Sequence, residues 1–253
     1  IPRTLALALY GDMDLSLMRG MPPGRKPVET RVIRASRMAK LAEGMQRILA
    51  QQGRIYWVVP RIDEEEDGVS VDQRVEALAA KFPDAGVRGL HGRMKAGEKQ
   101  DVLNAFITGK CRILVSTTVI EVGVNVAEAR LIVIEHAENY GLAQLHQLRG
   151  RVGRSHEQGY CILLPGKDAS AASIERLKCV ANSHDALALA EMDMASRGAG
   201  DAVGTRQSGE AGFRIVDMVR DAVLIRQWHG KLPPFAPTED MIRFWRPHAG
   251  AVD

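Results

Sequence analysis

Cysteine is scarce, and the three present (Cys111, Cys161 and Cys179) are odd in number, far apart and free of any CxxC or Cys/His spacing. A disulfide framework and a cysteine-based zinc site are thereby excluded, and buried reduced thiols are the expected state. Long hydrophobic runs are lacking too: nothing approaches the ~18 uninterrupted apolar residues of a membrane span. The opening Ile1-Pro2-Arg3-Thr4 has no basic stretch with an apolar core behind it, so no secretory leader is read there. These absences predict a soluble, cytoplasmic protein with no membrane partner. No Met opens the chain, and further residues upstream are expected. An excess of one charge is also missing. The 34 basic and 31 acidic side chains leave +3, which permits a nucleic-acid partner without demanding one.

A phosphate loop is absent as well. Gly109, Gly166 and Gly230 each precede a lysine, but none has both the upstream glycine and the following hydroxyl of GxxxxGK[ST]. The acidic run Asp63-Glu64-Glu65-Glu66-Asp67 falls in a polar loop rather than after a strand. It reads as solvated charge, and a metal ion, Mg²⁺ included, has no evident home in this chain.

What is present is a chain of 253 residues, 45% hydrophobic, long enough for a sizeable core. Residues 1–25 hold two short apolar segments, then Met21-Pro22-Pro23-Gly24, which reads as a linker. Val28 to Ala35 alternates like a strand, and Met38, Leu41, Ala42, Met45, Ile48 and Leu49 fall at helical spacing before Gly53 supplies a stop. The alternation continues through Ile55–Val59, a helical face of Val71, Val75, Leu78, Ala79 and Phe82, then Val87–Leu90. A further helix carries Val102, Leu103, Phe106 and Ile107, and Arg112–Val115 and Leu131–Ile134 follow as apolar runs. Strands alternating with helices, several of them continuously apolar, predict an α/β fold over residues 26–165 with a parallel sheet covered on both faces.

In such sheets ligands bind beyond the carboxyl ends of the strands, so the loops there matter most. One begins Ile113-Leu114-Val115-Ser116-Thr117-Thr118 and runs through Glu121 and Gly123 to Asn125. Its hydroxyls and backbone N–H groups can reach phosphate oxygens, or Thr117 and Thr118 can simply cap a helix. The second is Gln144-Leu145-His146-Gln147-Leu148-Arg149-Gly150-Arg151-Val152-Gly153-Arg154. Arg151 and Arg154, three apart, are expected to share a helical face, where two guanidiniums suit a polyphosphate. The competing reading is a solvated basic turn.

Taken together, these segments resemble superfamily 2 helicases: Thr117–Asn125 is similar to helicase motif V and Gln147–Arg154 to motif VI. His91-Gly92-Arg93-Met94, ahead of a stretch with Glu98, Lys99 and Phe106, resembles the segment before motif V in RecG and in the transcription-repair coupling factor. Downstream, Ile174, Leu177, Val180 and Ala181, then Leu187, Leu189 and Met192, suggest a helical hairpin. Arg197-Gly198-Ala199-Gly200-Asp201 and Gly204-Thr205-Arg206-Gln207-Ser208-Gly209 then resemble the translocation motif of that group, in its RecG form. Asn125 stands where the family usually has aspartate, which keeps an acceptor and loses a charge.

The resemblance implies a RecA-like second motor domain over residues 26–165, preceded by the tail of a first motor domain and a linker (1–25). A hairpin and translocation loop (166–212) and a C-terminal helix and tail (213–253) would follow. ATP and Mg²⁺ would be bound mainly by the missing first motor domain. Arg151 and Arg154 would enter from this chain as catalytic arginines, with Glu121, Gly123, Asn125, Gln147, Gly150 and Gly153 coupling to the nucleotide. Thr117, Thr118, Arg197, Arg206 and Gln207 would serve DNA contact and translocation. The implied partners are branched duplex DNA, as at replication forks and Holliday junctions, together with the upstream wedge and first motor domains. Two rivals are a transcription-repair coupling translocase, against which the ~40 residues after the loop count, and a scaffold that binds DNA or protein without turnover. Beyond Phe213, Val216, Val219, Val223 and Ile225 suggest one more helix before Pro233, Pro234 and Pro237 break the pattern, and Phe244 and Trp245 could stack on a base or pin the tail.

Overall fold

Apolar runs become strands, and stretches with helical spacing become helices. In the computed structural model, which describes residues 26–60, 70–117, 126–183, 185, 188, 189 and 192, the order begins β1 (Glu29–Val32), α1 (Met38–Ala50), β2 (Arg54–Val58), α2 (Val71–Lys81) and β3 (Val87–Leu90). It continues with α3 (Ala96–Thr108), β4 (Ile113–Ser116), β5 (Ala129–Glu135), α4 (Leu142–Arg149), β6 (Tyr160–Leu164) and α5 (Ala171–Asn182). The six strands make one sheet in the order β1-β6-β5-β2-β4-β3, parallel throughout. This is the parallel α/β architecture the sequence implies. The described residues from 26 to 183 belong to one compact unit.

The strand order fixes which helix covers which face. Connections from β1 to β2 and from β2 to β3 run one way along the sheet, and right-handed crossover puts α1 and α2 on the same side. There Leu41, Met45, Ile48 and Leu78 pack on Ile55, Trp57, Ile113, Val115, Leu131 and Val133. The connections β3 to β4 and β5 to β6 run the other way, so α3 and α4 lie on the opposite face. Tyr56, Leu114 and Ile132, which are register partners, point there, and the Tyr56 ring meets Phe106 of α3 with centroids 4.8 Å apart. Central strands are thus buried on both sides: every residue of β4 is buried, and every residue of β5 except Arg130.

Local chemistry sets the helix ends. The Ser70 side chain accepts from the Gln73 N–H at 3.2 Å and the Gln73 side chain accepts from the Ser70 N–H at 2.9 Å, a reciprocal cap that starts α2. Helix α3 ends at Gly109, whose φ of 81° is left-handed. The stop after α1 differs from the sequence expectation. Gln52, not Gly53, takes the left-handed conformation (φ 59°). Gly53 is needed for room instead, since a Cβ there would lie 2.7 Å from Ile48 Cγ2.

Cys111 and Cys161 are buried, as expected of reduced thiols, whereas Cys179, on α5, is only half-buried. Burial pushes both up, Cys111 to about 11 and Cys161 to about 12, from an ordinary value near 9. Each binds its proton more tightly folded than unfolded. Their contribution to stability is therefore complete below pH 9 and is lost as pH rises towards 11 to 12. The expected result is an unfolding midpoint in urea that falls above pH 9, with the fall reduced in Cys161→Ala. An unchanged pH profile in that variant would remove the thiol as the cause. Among the described residues no helix is long and apolar enough to cross a membrane, and no His/Cys/Asp/Glu cluster could hold a metal ion.

Candidate functional site

The parallel sheet has two distinct edges, and the sequence-derived candidates divide between them. At the carboxyl edge β4 delivers Ser116, wholly buried and with no partner for its Oγ among the described residues, and then half-buried Thr117. Beside it lies a cluster that sequence reading missed. Glu135 at the end of β5 is buried, accepts an N–H from Trp57 Nε1, and accepts another from Arg74 Nη2 at 2.9 Å. The Arg74 guanidinium also sits 5.6 Å from the centre of the Trp57 ring. The available signal was a carboxylate closing a buried apolar run, since such a charge needs donors built around it. Immediately after, His136 turns with φ 46°, and the Glu138 carboxylate accepts the Gly166 N–H at 3.0 Å. A Cβ at Gly166 would fall 2.6 Å from Glu138 Oε1, so a larger residue there would make that carboxylate swing aside.

The arginine segment lies elsewhere than expected. A helix that follows a parallel strand returns antiparallel to it, so α4 begins near the carboxyl edge and carries its C-terminus to the amino edge. There the Gly153 N–H donates to the carbonyl of Ala129, the first residue of β5, at 3.4 Å. Arg151 and Arg154 therefore stand at the amino edge, not in the carboxyl-end crevice. They do not share a helical face either, because α4 stops at Arg149. Gly150 caps it, and Gly153 reverses the backbone with φ 68°. The resulting turn is internally tied: Arg154 Nε donates to the Gly150 carbonyl at 3.0 Å. Gln147 is exposed on α4, whereas Arg151 and Arg154 are each half-buried.

The tightest packing supports this turn. A Cβ on Gly153 would come 2.8 Å from Val28 Cγ2, and one on Gly159 would come 2.6 Å from the Gly153 Cα. Two glycines are thus placed back to back at the starts of β1 and β6. Arg149, also missed by sequence reading, anchors the other side. It is 4% exposed, donating from Nη1 to the Val180 and Ser183 carbonyls at 2.8 and 2.7 Å. Its Nη2 lies 2.8 Å from His146 Nδ1, which must act as the acceptor because a guanidinium only donates. Burial lowers the Arg149 pKa. The bonded carbonyls close the end of α5, where a cation is favoured by the helix dipole, so Arg149 ties α4 to α5.

The amino edge is rich in guanidinium. Arg54 pairs with Glu128 at 2.8 Å, and Arg130 pairs with Glu157 and donates to Gln51 Oε1 at 2.6 Å. Tyr56 lies among them, its hydroxyl without a partner among the described residues, and burial pushes it up to about 12 against the opposing pull of Arg151, Arg154 and Arg54. Arginines on a glycine-pinned turn present the forked N–H donors that phosphate oxygens can accept. Segment 118–125 joins Thr117 at one edge to Val126 near the other. Its candidates Thr118, Glu121, Gly123 and Asn125, and the downstream Arg197, Arg206 and Gln207, lie outside the described residues.

Comparison with known proteins gives concordant results. Residues 38–156 match the helicase conserved C-terminal domain family. The ATP-dependent DNA helicase RecG of Acidithiobacillus ferridurans is 45% identical over 227 residues, 89% of this chain and 33% of that protein. The RecG of Escherichia coli K12 is 40% identical over 257 residues, 98% of this chain and 37% of that protein. The chain therefore spans about a third of the length of these relatives. Among solved structures, RecG bound to a three-way DNA junction superposes with a TM-score of 0.69 at 40% identity, over 89% of this chain and 29% of that one. The yeast DEAD-box splicing factor Prp28, 18% identical with a TM-score of 0.51 over 80% of this chain and 41% of that one, shares the fold alone.

Proposed function

We propose, from the match of residues 38–156 to the helicase conserved C-terminal domain family and from its RecG relatives, that this chain is the second motor half of an ATP-dependent duplex-DNA translocase. The intact protein acts on branched DNA, regressing stalled forks and branch-migrating Holliday junctions in the bacterial cytoplasm. The observation that carries this reading is the match, at 40% identity over 89% of the chain, to RecG bound to a three-way junction. The glycine-pinned Arg151–Arg154 turn inside the matched region supports the nucleotide half of it.

ATP with Mg²⁺, held mainly by the first motor domain, supplies the phosphoryl group whose transfer to water powers movement. Arg151 and Arg154 donate to its phosphate oxygens as charge redistributes there, and because they come from a neighbouring domain they link cleft closure to chemistry. Glu121, Gly123, Asn125, Gln147 and Gly150 carry the nucleotide state into this domain. Thr117 and Thr118 contact the DNA backbone, and Arg197, Arg206 and Gln207 push on the duplex.

DNA-stimulated ATPase on a synthetic fork tests the reading, comparing this chain with the full-length protein. Turnover only in the full-length protein is expected, and turnover by neither, or by this chain alone, would overturn it. Arg206→Ala or Gln207→Ala in the full-length protein should keep DNA-stimulated ATPase within about twofold while fork regression falls at least about tenfold. Equal loss of both activities would make that loop structural.

A further inference from the structure

Tyr56 carries a hydroxyl for which packing alone has no use. The residue is 1% exposed on the α3 face of β2, its ring rests on Phe106, and Oη is shut off from solvent and has no partner among the described residues. Phenylalanine would fill the same space without stranding a donor and an acceptor, so a tyrosine kept here implies a partner supplied in another state. The surroundings say which. Arg54, two residues earlier on the same face of β2, marks the amino edge and lies in register with Ala129. The Ala129 carbonyl pins Gly153, and α4 returns on this same face to deliver the Arg151–Arg154 turn. The phenol therefore lies beneath that turn, in the layer between the sheet and the helices α3 and α4.

We propose that Tyr56 is a positioning residue for the arginine turn: as the motor closes, its hydroxyl oxygen accepts an N–H of Arg151 and fixes the angle at which that guanidinium meets the nucleotide phosphates. No bond is made or broken in this step. The guanidinium keeps its charge, and the phenol, pushed up to about 12 by burial, stays neutral at working pH and offers a lone pair rather than a competing anion. Arg151 leads the charges that act on this phenol, with Arg154 and Arg54 behind it. The inference rests on the reading of Arg151 and Arg154 as catalytic arginines.

Tyr56→Phe in the full-length protein tests it, because the substitution removes only the oxygen. The expected result is a DNA-stimulated ATPase kcat lowered about tenfold, the equivalent of one lost hydrogen bond, with unchanged KM for ATP, unchanged junction affinity and an equal or higher Tm. In an Arg151→Ala background the same substitution should have no further effect on kcat, since the hydroxyl acts through that side chain. Unchanged kcat with a raised Tm would overturn the proposal by showing the hydroxyl idle. A lowered Tm, or a full additional loss in the Arg151→Ala background, would overturn it in favour of a packing role. Failure of the wild-type full-length protein to hydrolyse ATP would defeat the underlying reading, and this proposal with it, and is distinguishable because it precedes any variant.

Discussion

Arg154→Ala in the full-length protein is expected to lower DNA-stimulated ATP hydrolysis by about 1,000-fold, at the lower end of what a lost arginine finger does. Junction binding should stay within about twofold, because the side chain acts on charge developing in the transition state rather than on DNA. The structure sharpens the expectation. Nε of Arg154 is tied to the Gly150 carbonyl at 3.0 Å, so the turn itself holds the guanidinium. Arg154→Lys should also fail, because an ammonium keeps the charge but loses the planar fork that engages two oxygens at once. Steady-state ATPase with junction binding measured in parallel decides the matter. A loss of binding equal to the loss of turnover would make Arg154 a DNA contact.

Gly159→Ala and Gly153→Ala should each destabilise the domain by about 2–4 kcal/mol, through overpacking in one case and left-handed backbone plus overpacking in the other. At Gly159 the new methyl would meet the Gly153 backbone, which has no rotamer to yield. At Gly153 it would meet Val28 Cγ2 and would have to tolerate φ 68°. Gly44→Ala is the control: nothing lies within 4 Å of a Cβ there, and mid-helix replacement should stabilise by about 0.5–1 kcal/mol. Denaturant midpoints would show the contrast. If Gly159→Ala unfolds like wild type, the close approach is relieved by a small shift of β1 and the arginine turn is less constrained than described.

The fold was legible where burial is two-sided. Ile55–Val59, Ile113–Val115 and Leu131–Ile134 announce central strands because both faces are covered and no polar alternation interrupts them. Tyr160–Leu164 is equally apolar, but it follows a polar, glycine-containing stretch that gives no hint of a sixth strand filling the gap between β1 and β5. Arg151 and Arg154 were legible as a pair, and their surroundings were not. A spacing of three looks helical until Gly150 and Gly153 are seen ending α4, and a sequence does not say which edge of the sheet a returning helix reaches. Arg149 was invisible for another reason. Its neighbours Val180 and Ser183 are 31 and 34 residues away, and they contribute backbone carbonyls, which carry no sequence signature. Glu135, Trp57 and Arg74 meet only because β2 and β5 are adjacent although distant in sequence, a consequence of topology rather than local pattern.

The clasp around Trp57 also makes the molecule its own optical instrument. An indole emits at a wavelength set by the electric field along its long axis, and here a carboxylate bonds the ring nitrogen while a guanidinium lies over the face. Because Trp57 is 1% exposed, its emission should be blue and hardly quenched by iodide until the Glu135 contact loosens. The chain has two other tryptophans, Trp228 and Trp245, and replacing both with phenylalanine would leave one fluorophore at the carboxyl edge. Its colour would then change with every movement of β5, the strand whose opposite end receives the arginine turn.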